Sequence, residues 1–295
     1  MKLTSDISIT SQPYRKMSAP ALSLDFGQQV YKQRGISVGL NSVLSFARNS
    51  PAVRVAETGV LETVAAGVLR RDHVFGTGEF LGALFEPAAT NLLLHSHDFT
   101  RPYWVGYASK PGFGGGQPAP DGTLTAMTWN CADTTGGAGG KRGGILVPDS
   151  IPAGVSTVSV WLRASVPLTM RFGHSDGTSQ PISVSTHWQR FTYTDTLPNS
   201  QNRIFMLYED VNEDIDVYIW GAQTEYGSAV TSNITTNGGA VTRPADQPGL
   251  IGLNGVHDVT VTYDDDSIDT FAAVAVSDGW WPNLSRPMVK NLVVL

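Results

Sequence analysis

Hydrophobic and polar residues alternate along most of this chain, and no long stretch has a helical period. From residue 124 the alternating runs are LTAMTW, KRGGILV, VSTVSVWLRA, LTMRFG, ISVSTHWQRFTYT, RIFMLYE and DVYIWGAQTE, separated by Gly- and Pro-rich stretches such as GFGGGQPAPDGT. Since successive side chains of a strand point to opposite faces, these runs predict β-strands joined by turns. Seven or eight such strands predict an all-β fold with two packed antiparallel sheets.

Further β regions flank this block. We divide the chain into an N-terminal segment (1–45), a β-hairpin connector (46–90) with a turn at Thr58-Gly59, a sandwich domain (91–247) and a small C-terminal β segment (248–295). The C-terminal segment contains only three or four strands, too few for independent stability. We therefore expect it to pair with the rest of the chain or with another copy.

Charge is distributed unevenly along the sequence. Residues 1–71 contain nine Lys and Arg against four Asp and Glu, whereas residues 72–295 contain eleven against twenty-two. Because phosphate binding needs clustered basic residues, the acidic body argues against nucleic acid as a partner. We interpret residues 1–45 as an attachment segment that docks on a different surface from the one the body presents; chance scatter of charge is the alternative.

Composition narrows the compartment. No run approaches 18 apolar residues, so we predict no membrane insertion. The single Cys131 excludes an intrachain disulfide framework. The N-terminal MKLTSDISITSQPYRK lacks the apolar core of a secretion signal. We therefore expect synthesis and folding in a reducing cytoplasm.

Two motifs resemble binding loops but are incomplete. In GGAGGKRGG, Thr135 and Arg142 occupy the Gly and the Ser/Thr positions of a phosphate-binding loop. The run that begins at Asp210 resembles a calcium loop, but Ile215 occupies the position that requires Gly. Neither motif predicts a cofactor.

Candidate catalytic and metal residues are equally sparse. His95 and His97 would share one strand face, but two histidines alone are a weak metal signal. The adjacent Glu209 and Asp210 would point to opposite faces of a strand, so they cannot flank one glycosidic bond. We therefore predict no enzyme activity and no metal site.

Four segments resemble bacteriophage tail-fibre and minor tail (receptor-binding) proteins: FARNSPAVRVAETGVLETVAAGVLRRDH, GEFLGALFEPAATNLLLHSHDFT, HWQRFTYT and IWGAQTEYGSAVTSNITTNGGAVTRPADQ. Their order and spacing are also similar, so the resemblance covers Phe46 to Gln247, and the C-terminal WWPNLSRPMVKNLVVL is similar to the ends of such proteins. The resemblance implies a carbohydrate-binding-module-like jelly roll in a homotrimeric virion tail protein that contacts other tail proteins.

We therefore expect a tail-fibre subunit that adheres to a bacterial surface saccharide. Two alternatives remain open. One is a purely structural tail or head-fibre subunit that touches no receptor. The other is an accessory domain of a saccharide depolymerase, which would need an exposed carboxylate pair across a groove.

The Ser-, Thr- and Asn-rich segment after the last sandwich strand also fits a jelly roll. Such a segment returns the chain along the surface of the domain, with its polar side chains satisfying exposed backbone groups. We expect its final tag, Thr242-Arg243-Pro244-Ala245-Asp246, to fasten the segment near Arg70-Arg71-Asp72.

Strand alternation suggests a ligand surface. In VSVWLRA, Trp161 and Arg163 lie on the face opposite Val158, Val160 and Leu162. A large aromatic side chain beside a cation suits a sugar, so we predict a saccharide site at Trp161, Arg163, Arg171, His174 and Tyr208. Alternatively, Trp161 is buried under a loop or at a subunit contact, which would favour the purely structural subunit. If the folded chain adsorbs without Trp161, the site is expected in the Gly-rich loops around Phe113 and Gly136.

The adjacent Trp280 and Trp281 precede Pro282 in a turn. Two successive side chains point to opposite sides, so we expect one of them to pack inward and the other to cover a neighbouring subunit of a trimer.

Overall fold

The protein consists almost entirely of β-strands. The computed structural model describes residues 19–107, 111–131, 143–149, 151–175, 178–197, 205–209 and 213–295. Within them, the helical element is a 3₁₀ turn at Leu40–Ser42, and no helix could span a membrane. The first nine strands are β1 (Leu22–Asp25), β2 (Val30–Gln33), β3 (Ile36–Ser37), β4 (Leu44–Ala47), β5 (Ala52–Val55), β6 (Leu61–Val64), β7 (Arg70–His73), β8 (Phe80–Leu84) and β9 (Ala89–Asn91).

The next ten strands form a sandwich of two antiparallel sheets. They are β10 (Val105–Gly106), β11 (Gly114–Gln117), β12 (Ala126–Asn130), β13 (Gly143–Val147), β14 (Gly154–Ala164), β15 (Leu168–Ser175), β16 (Thr178–Val184), β17 (Gln189–Leu197), β18 (Phe205–Glu209) and β19 (Asp216–Tyr226). One sheet has the order β11-β12-β19-β14-β17 and the other the order β10-β13-β18-β15-β16. If β12 to β19 are counted as strands one to eight, the sheets contain 1-8-3-6 and 2-7-4-5, which is the jelly-roll order. The predicted all-β fold is therefore confirmed.

The core of the sandwich comes from the inward faces of both sheets. Val158, Val160 and Leu162 of β14 are fully buried in it, as the alternation predicted. The opposite sheet contributes Phe172 and Phe205, whose rings meet edge to face at 5.5 Å. The outward face of the β14 sheet takes no part in this core, so another part of the chain can pack on it.

The five remaining strands lie in the C-terminal part of the chain, and some of them pair with strands near its N-terminus. They are β20 (Val241–Arg243), β21 (Gln247–Leu250), β22 (Gly255–Tyr263), β23 (Ile268–Val276) and β24 (Met288–Val294). A third sheet, outside the sandwich, has the order β23-β22-β24-β1-β2-β3, with β8 linking β24 to β7. The C-terminal β segment thus pairs with the rest of its own chain. Strands β1 to β3 share its sheet, and Leu22, Leu24 and Leu44 share its core.

The connector packs against the β14 sheet as two hairpins, β5–β6 and β7–β8. The predicted turn at Thr58-Gly59 lies in the first hairpin, and Gly59 has a φ of 77°. A Cβ atom there would lie 2.9 Å from the carbonyl carbon of Gly76, and the Gly76 N–H donates to the Gly59 oxygen at 2.7 Å. Only glycine fits this close approach, which fixes the two hairpin turns against each other.

A buried ion network fastens the connector to the Ser-, Thr- and Asn-rich segment that follows β19 (227–246), which we call the return segment. Asp246 accepts from Arg48 at 3.1 Å and from Arg70 at 2.6 Å, and Glu86 accepts from Arg70 at 2.7 Å. Arg243 lies 3.4 Å from Glu86. All five side chains are almost completely excluded from solvent. The prediction that the Thr242–Asp246 tag meets the Arg70 strand is therefore confirmed.

The network also determines the charge of Glu86. Burial by itself would raise the pKa of this carboxyl, but Arg70 and Arg243, together with hydrogen bonds from Ser232, outweigh burial and hold the pKa below its usual value. Glu86 is therefore ionised in the folded protein, and its two oxygens join the connector to the return segment at Ser232.

We predict that Asp246→Asn strongly destabilises the protein. The substitution removes the charge that two buried guanidinium groups share, and breaking a buried pair costs about 3–5 kcal/mol. Urea unfolding measures the loss. The matched control is Asp266→Asn, which removes an exposed pair with Lys290 and should change stability little. Equal losses in the two variants would contradict a structural role for the network.

Candidate functional site

The predicted saccharide residue Trp161 lies on the expected face of its strand but is only 5% exposed. The connector covers it. Its indole packs with Leu61, Ala126 and Trp220, and the Phe75 ring lies 4.7 Å away between centroids. Trp161 is therefore not an open sugar platform, and the alternative interpretation, burial beneath another part of the chain, describes its surroundings.

The five residues predicted as a saccharide site do not form one surface. Trp161 and Arg163 lie on β14, whereas Arg171, His174 and Tyr208 lie on β15 and β18 in the opposite sheet. His174 and Tyr208 are also buried. The grouping is wrong because a jelly roll places strands that are consecutive in sequence, such as β14 and β15, in different sheets.

The partly exposed arginines of that group make contacts within the domain. The Arg163 guanidinium lies over the ring of Tyr218 at 3.7 Å and over that of Trp188 at 5.4 Å. Arg171 donates to the backbone oxygen of Ser179 at 2.9 Å. Both cations therefore support local packing.

The remaining candidates lie elsewhere. Trp280 and Trp281 are both partly buried against the second core of their own chain, and the Trp281 ring lies 4.8 Å from Phe85. A trimer contact by either remains a prediction. Phe113 packs on Phe99 at 5.8 Å between ring centroids. Gly136 lies outside the described residues.

An open cleft of about 370 Å³ lies at one end of the outer face of the β14 sheet. Its volume is within the range of small-molecule sites. Four segments far apart in sequence form it: the turn after β9, the loop before β12, strand β19 and the return segment. We call this the His97 cleft; its lining is His97, Asp98, Arg101, Asp121, Thr123, Thr125, Trp220, Thr235, Thr236 and Asn237.

Aromatic rings form the inner wall of the His97 cleft. The imidazole of His97 meets Trp220 edge to face at 4.4 Å. Its Nδ1 lies 2.7 Å from Ser96 Oγ, which in turn accepts from the Thr236 N–H at 2.8 Å. Its Nε2 is buried and has no hydrogen-bond partner among the described residues. Burial lowers the pKa of His97 to about 4 against the opposing effect of Asp121, so the ring is neutral at pH 7.

Hydroxyl and carboxylate groups form the rim of the cleft. Asp121 accepts from Thr123 Oγ1 at 2.6 Å, Thr123 Oγ1 lies 2.6 Å from Thr125 Oγ1, and Trp220 Nε1 donates to Thr125 at 2.9 Å. Thr235 and Asn237 are exposed on the opposite side. A sugar presents apolar ring faces and a ring of hydroxyl groups. The partly exposed His97 ring and the polar rim can meet these, whereas Trp220 is only 4% exposed and packs behind the imidazole.

Two carboxylates, Asp98 and Asp121, line the cleft. Partial burial of Asp98 would raise its pKa, but hydrogen bonds from Thr100 and Arg101 outweigh burial and hold the pKa below its usual value. A general acid for glycoside hydrolysis needs a raised pKa instead. Asp98 is therefore unsuited to act as a general acid.

The sequence flagged His95 and His97 as a pair, but the structure separates their roles. His95 packs on Tyr103 at 5.9 Å, whereas His97 packs on Trp220. The described residues contain no group of three or more His, Cys, Asp or Glu side chains placed to hold a metal ion. The sequence signal for the cleft, a histidine between serine and aspartate before a Thr-rich loop, is too weak to identify it.

Comparison with known proteins gives similarity to parts of the chain only. No protein-family model and no curated protein sequence matches. A CBM4 structure is 16% identical over 30% of this chain and 72% of its own, with a TM-score of 0.23. A mutant of CBM29-2, a family 29 carbohydrate-binding module, is 11% identical over 48% and 86%, with a TM-score of 0.31.

A third similar structure is the enzymatically active domain of tailspike protein 4 from bacteriophage CBA120. It is 12% identical over 44% of this chain and 21% of its own, with a TM-score of 0.29. Similarities this low do not support a functional argument, so any function must be argued from the geometry of the chain itself.

We predict that His97 makes stability pH-dependent. Its pKa is about 4 in the folded protein against 6.5 ordinarily, so the unfolded chain takes up the proton first. The stability that neutral His97 contributes is fully present above about pH 6.5. It is lost as the pH drops towards 4, and the free energy of unfolding then falls by on the order of 3 kcal/mol. Urea unfolding at pH 7 and pH 4.5 measures this loss.

The comparison variant is His97→Asn. Its free energy of unfolding should differ clearly less between pH 7 and pH 4.5 than that of the wild type. His187→Asn, at an exposed position, is the control and should behave like the wild type. If His97→Asn retains the full pH dependence, other groups cause it.

Proposed function

We propose that this chain is a receptor-binding subunit of a bacteriophage tail fibre that adheres to a bacterial surface saccharide without cleaving it. The observation that carries the proposal is the His97 cleft, an open site on a jelly-roll sandwich that combines one partly exposed aromatic ring, His97, with a hydroxyl-rich rim. The resemblance of residues 46–247 to tail-fibre and minor tail proteins supports it. The basic segment 1–45 would dock on other tail proteins.

An open cleft of this kind suits weak binding at each site. A single site with millimolar affinity contributes only about −4 kcal/mol. In a homotrimer, three clefts on one fibre raise the effective affinity by orders of magnitude without new contacts. Repeated units along a surface polysaccharide would supply the matching series of ligands.

The alternative is a purely structural fibre subunit. The burial of Trp161 under the connector favours it, because the aromatic residue best placed for sugar stacking by sequence serves packing instead. The two proposals differ in one property, which is whether the isolated chain binds any bacterial polysaccharide.

We predict that the double variant Arg101→Ala/Asn237→Ala binds polysaccharide at least tenfold more weakly than the wild type. Both side chains are polar, exposed and on the cleft rim, so their loss should remove ligand contacts and leave the core intact. The measurement is binding of the full chain to an array of bacterial surface polysaccharides, followed by titration of those that bind.

The matched control is Arg286→Ala/Asn283→Ala, which removes the same residue types near the C-terminus. It should bind as the wild type does. A wild-type chain that binds no polysaccharide on the array would favour the structural alternative. Release of shortened saccharide during the titration would identify a depolymerase and contradict the non-catalytic proposal.

We predict that the purified chain is a trimer at micromolar concentration. Besides the resemblance, Ile268 on edge strand β23 is 60% exposed, which leaves apolar surface available to a neighbour. Light scattering should give three times the chain mass, and Ile268→Asp should reduce it. Ile36→Asp, on the opposite edge strand β3 where the side chain is 70% exposed, tests whether that edge forms the contact instead. A monomeric wild type would contradict the prediction.

A further inference from the structure

A second cavity, of about 320 Å³, lies between the connector and the outer face of the β14 sheet. We call it the connector cavity. Hairpin β5–β6, strand β7 and the Val74–Phe75 turn form one wall. Trp161 of β14, Arg190 of β17 and Asn233 of the return segment form the other. It is separate from the His97 cleft, and none of its lining residues is shared with that cleft.

Arg190 places a positive charge in this cavity without a matching carboxylate. Its Nη1 donates to the backbone oxygen of Thr231 at 2.7 Å and its Nη2 to Ser159 Oγ at 2.9 Å. In the described part of the chain, no Asp or Glu oxygen lies within 4 Å of the guanidinium. Arg48, Arg70 and Arg243, by contrast, each have a carboxylate partner.

The nearby carboxylates are already committed to other donors. Glu225 accepts from the Thr231 hydroxyl at 2.6 Å and from its N–H at 3.1 Å, and Glu86 belongs to the ion network. They act on Arg190 only at a distance: burial lowers the pKa of Arg190, and Glu225 and Glu86 oppose it. A guanidinium remains protonated in such a site, so its charge calls for an anion.

Three buried polar groups along the same wall also lack partners among the described residues. They are Nε of Arg190, Nε1 of Trp161 and the side-chain amide of Asn233. Arginine and indole nitrogens can only donate, whereas the amide can donate and accept. Because buried polar groups are rarely left unsatisfied in native proteins, the set indicates a ligand rich in acceptors with at least one donor.

The other charged groups of the cavity have partners. Arg54 donates to Glu62 at 2.6 Å, Asp72 accepts from the Val55 N–H at 2.6 Å, and His73 Nδ1 lies 3.0 Å from the Val55 oxygen. Burial raises the pKa of Asp72 despite the hydrogen bond from Val55. Arg190 is thus the cation available to a ligand.

We propose that the connector cavity binds one sugar acid, a monosaccharide unit that carries a carboxylate. The carboxylate pairs with Arg190, the pyranose ring packs against the apolar lining formed by Val53, Val55 and Phe75, and a hydroxyl exchanges hydrogen bonds with the Asn233 amide. The cavity volume is at the lower end of the range for small-molecule sites, which suits a single ring. The choice of a sugar rests on the proposed saccharide function; the need for an anion does not.

The test is calorimetric titration of the full chain with D-glucuronate, D-glucose and acetate as separate probes. We expect one glucuronate per chain, with affinity at least tenfold above those of glucose and acetate. Arg190→Gln should lower the glucuronate affinity at least tenfold. Arg163→Gln, at a position outside the cavity on β14, is the matched control and should bind as the wild type does.

Trp161→Phe provides the second variant, because it keeps an aromatic six-membered ring and removes the indole N–H together with the rest of the five-membered ring. Trp161→Phe should lower the glucuronate affinity several-fold. It keeps the proposal testable if Arg190→Gln does not fold. Absence of glucuronate binding, equal affinity for glucose, or unchanged affinity in Trp161→Phe would overturn the proposal. Equal affinity for acetate would overturn the assignment to a sugar. Glucuronate binding by a chain that binds no polysaccharide would refute the proposed adhesion alone.

Discussion

Three guanidinium groups and two carboxylates are buried together where the connector meets the return segment. Such groups are costly to remove from water, and the folded chain tolerates them only when each one meets its partners. Residues 48, 70, 86, 243 and 246 must therefore lie at one point, although they are separated by up to two hundred positions. This requirement ties the connector to the return segment at Ser232, which with Asn233 lines the connector cavity.

Much of this architecture could be predicted from local pattern. Alternation identified the sandwich strands and the inward face of β14, because Val158, Val160 and Leu162 repeat with the period of a strand. The polar tag ending at Asp246 was also placed correctly, since a buried carboxylate needs a cation and Arg70 supplies it. Alternation alone did not show which strands share a sheet, so Arg171 and His174 were wrongly placed on the same sheet as Trp161.

The candidate sites were harder to predict because each is assembled from distant segments. The burial of Trp161 is caused by Phe75 and Leu61, which lie about a hundred residues earlier in the chain. The His97 cleft combines a loop before the sandwich with its last strand and the segment after it. No spacing rule connects such positions. The two sites also differ in charge, since one contains a neutral histidine and the other a permanent cation.

The pairing of β1 with β24 has a consequence for biosynthesis. Leu22 lies opposite Val294, so a strand near the beginning of the sequence is completed only by one near its end. Loop closure over such a separation is entropically unfavourable until intervening structure brings the ends together. The jelly roll lies entirely between these two strands and makes its own contacts, so it is expected to fold first while the nascent chain emerges. Strand β1 would wait with an unpaired apolar edge, and a ribosome that stalls before Met288 would release a chain prone to aggregate.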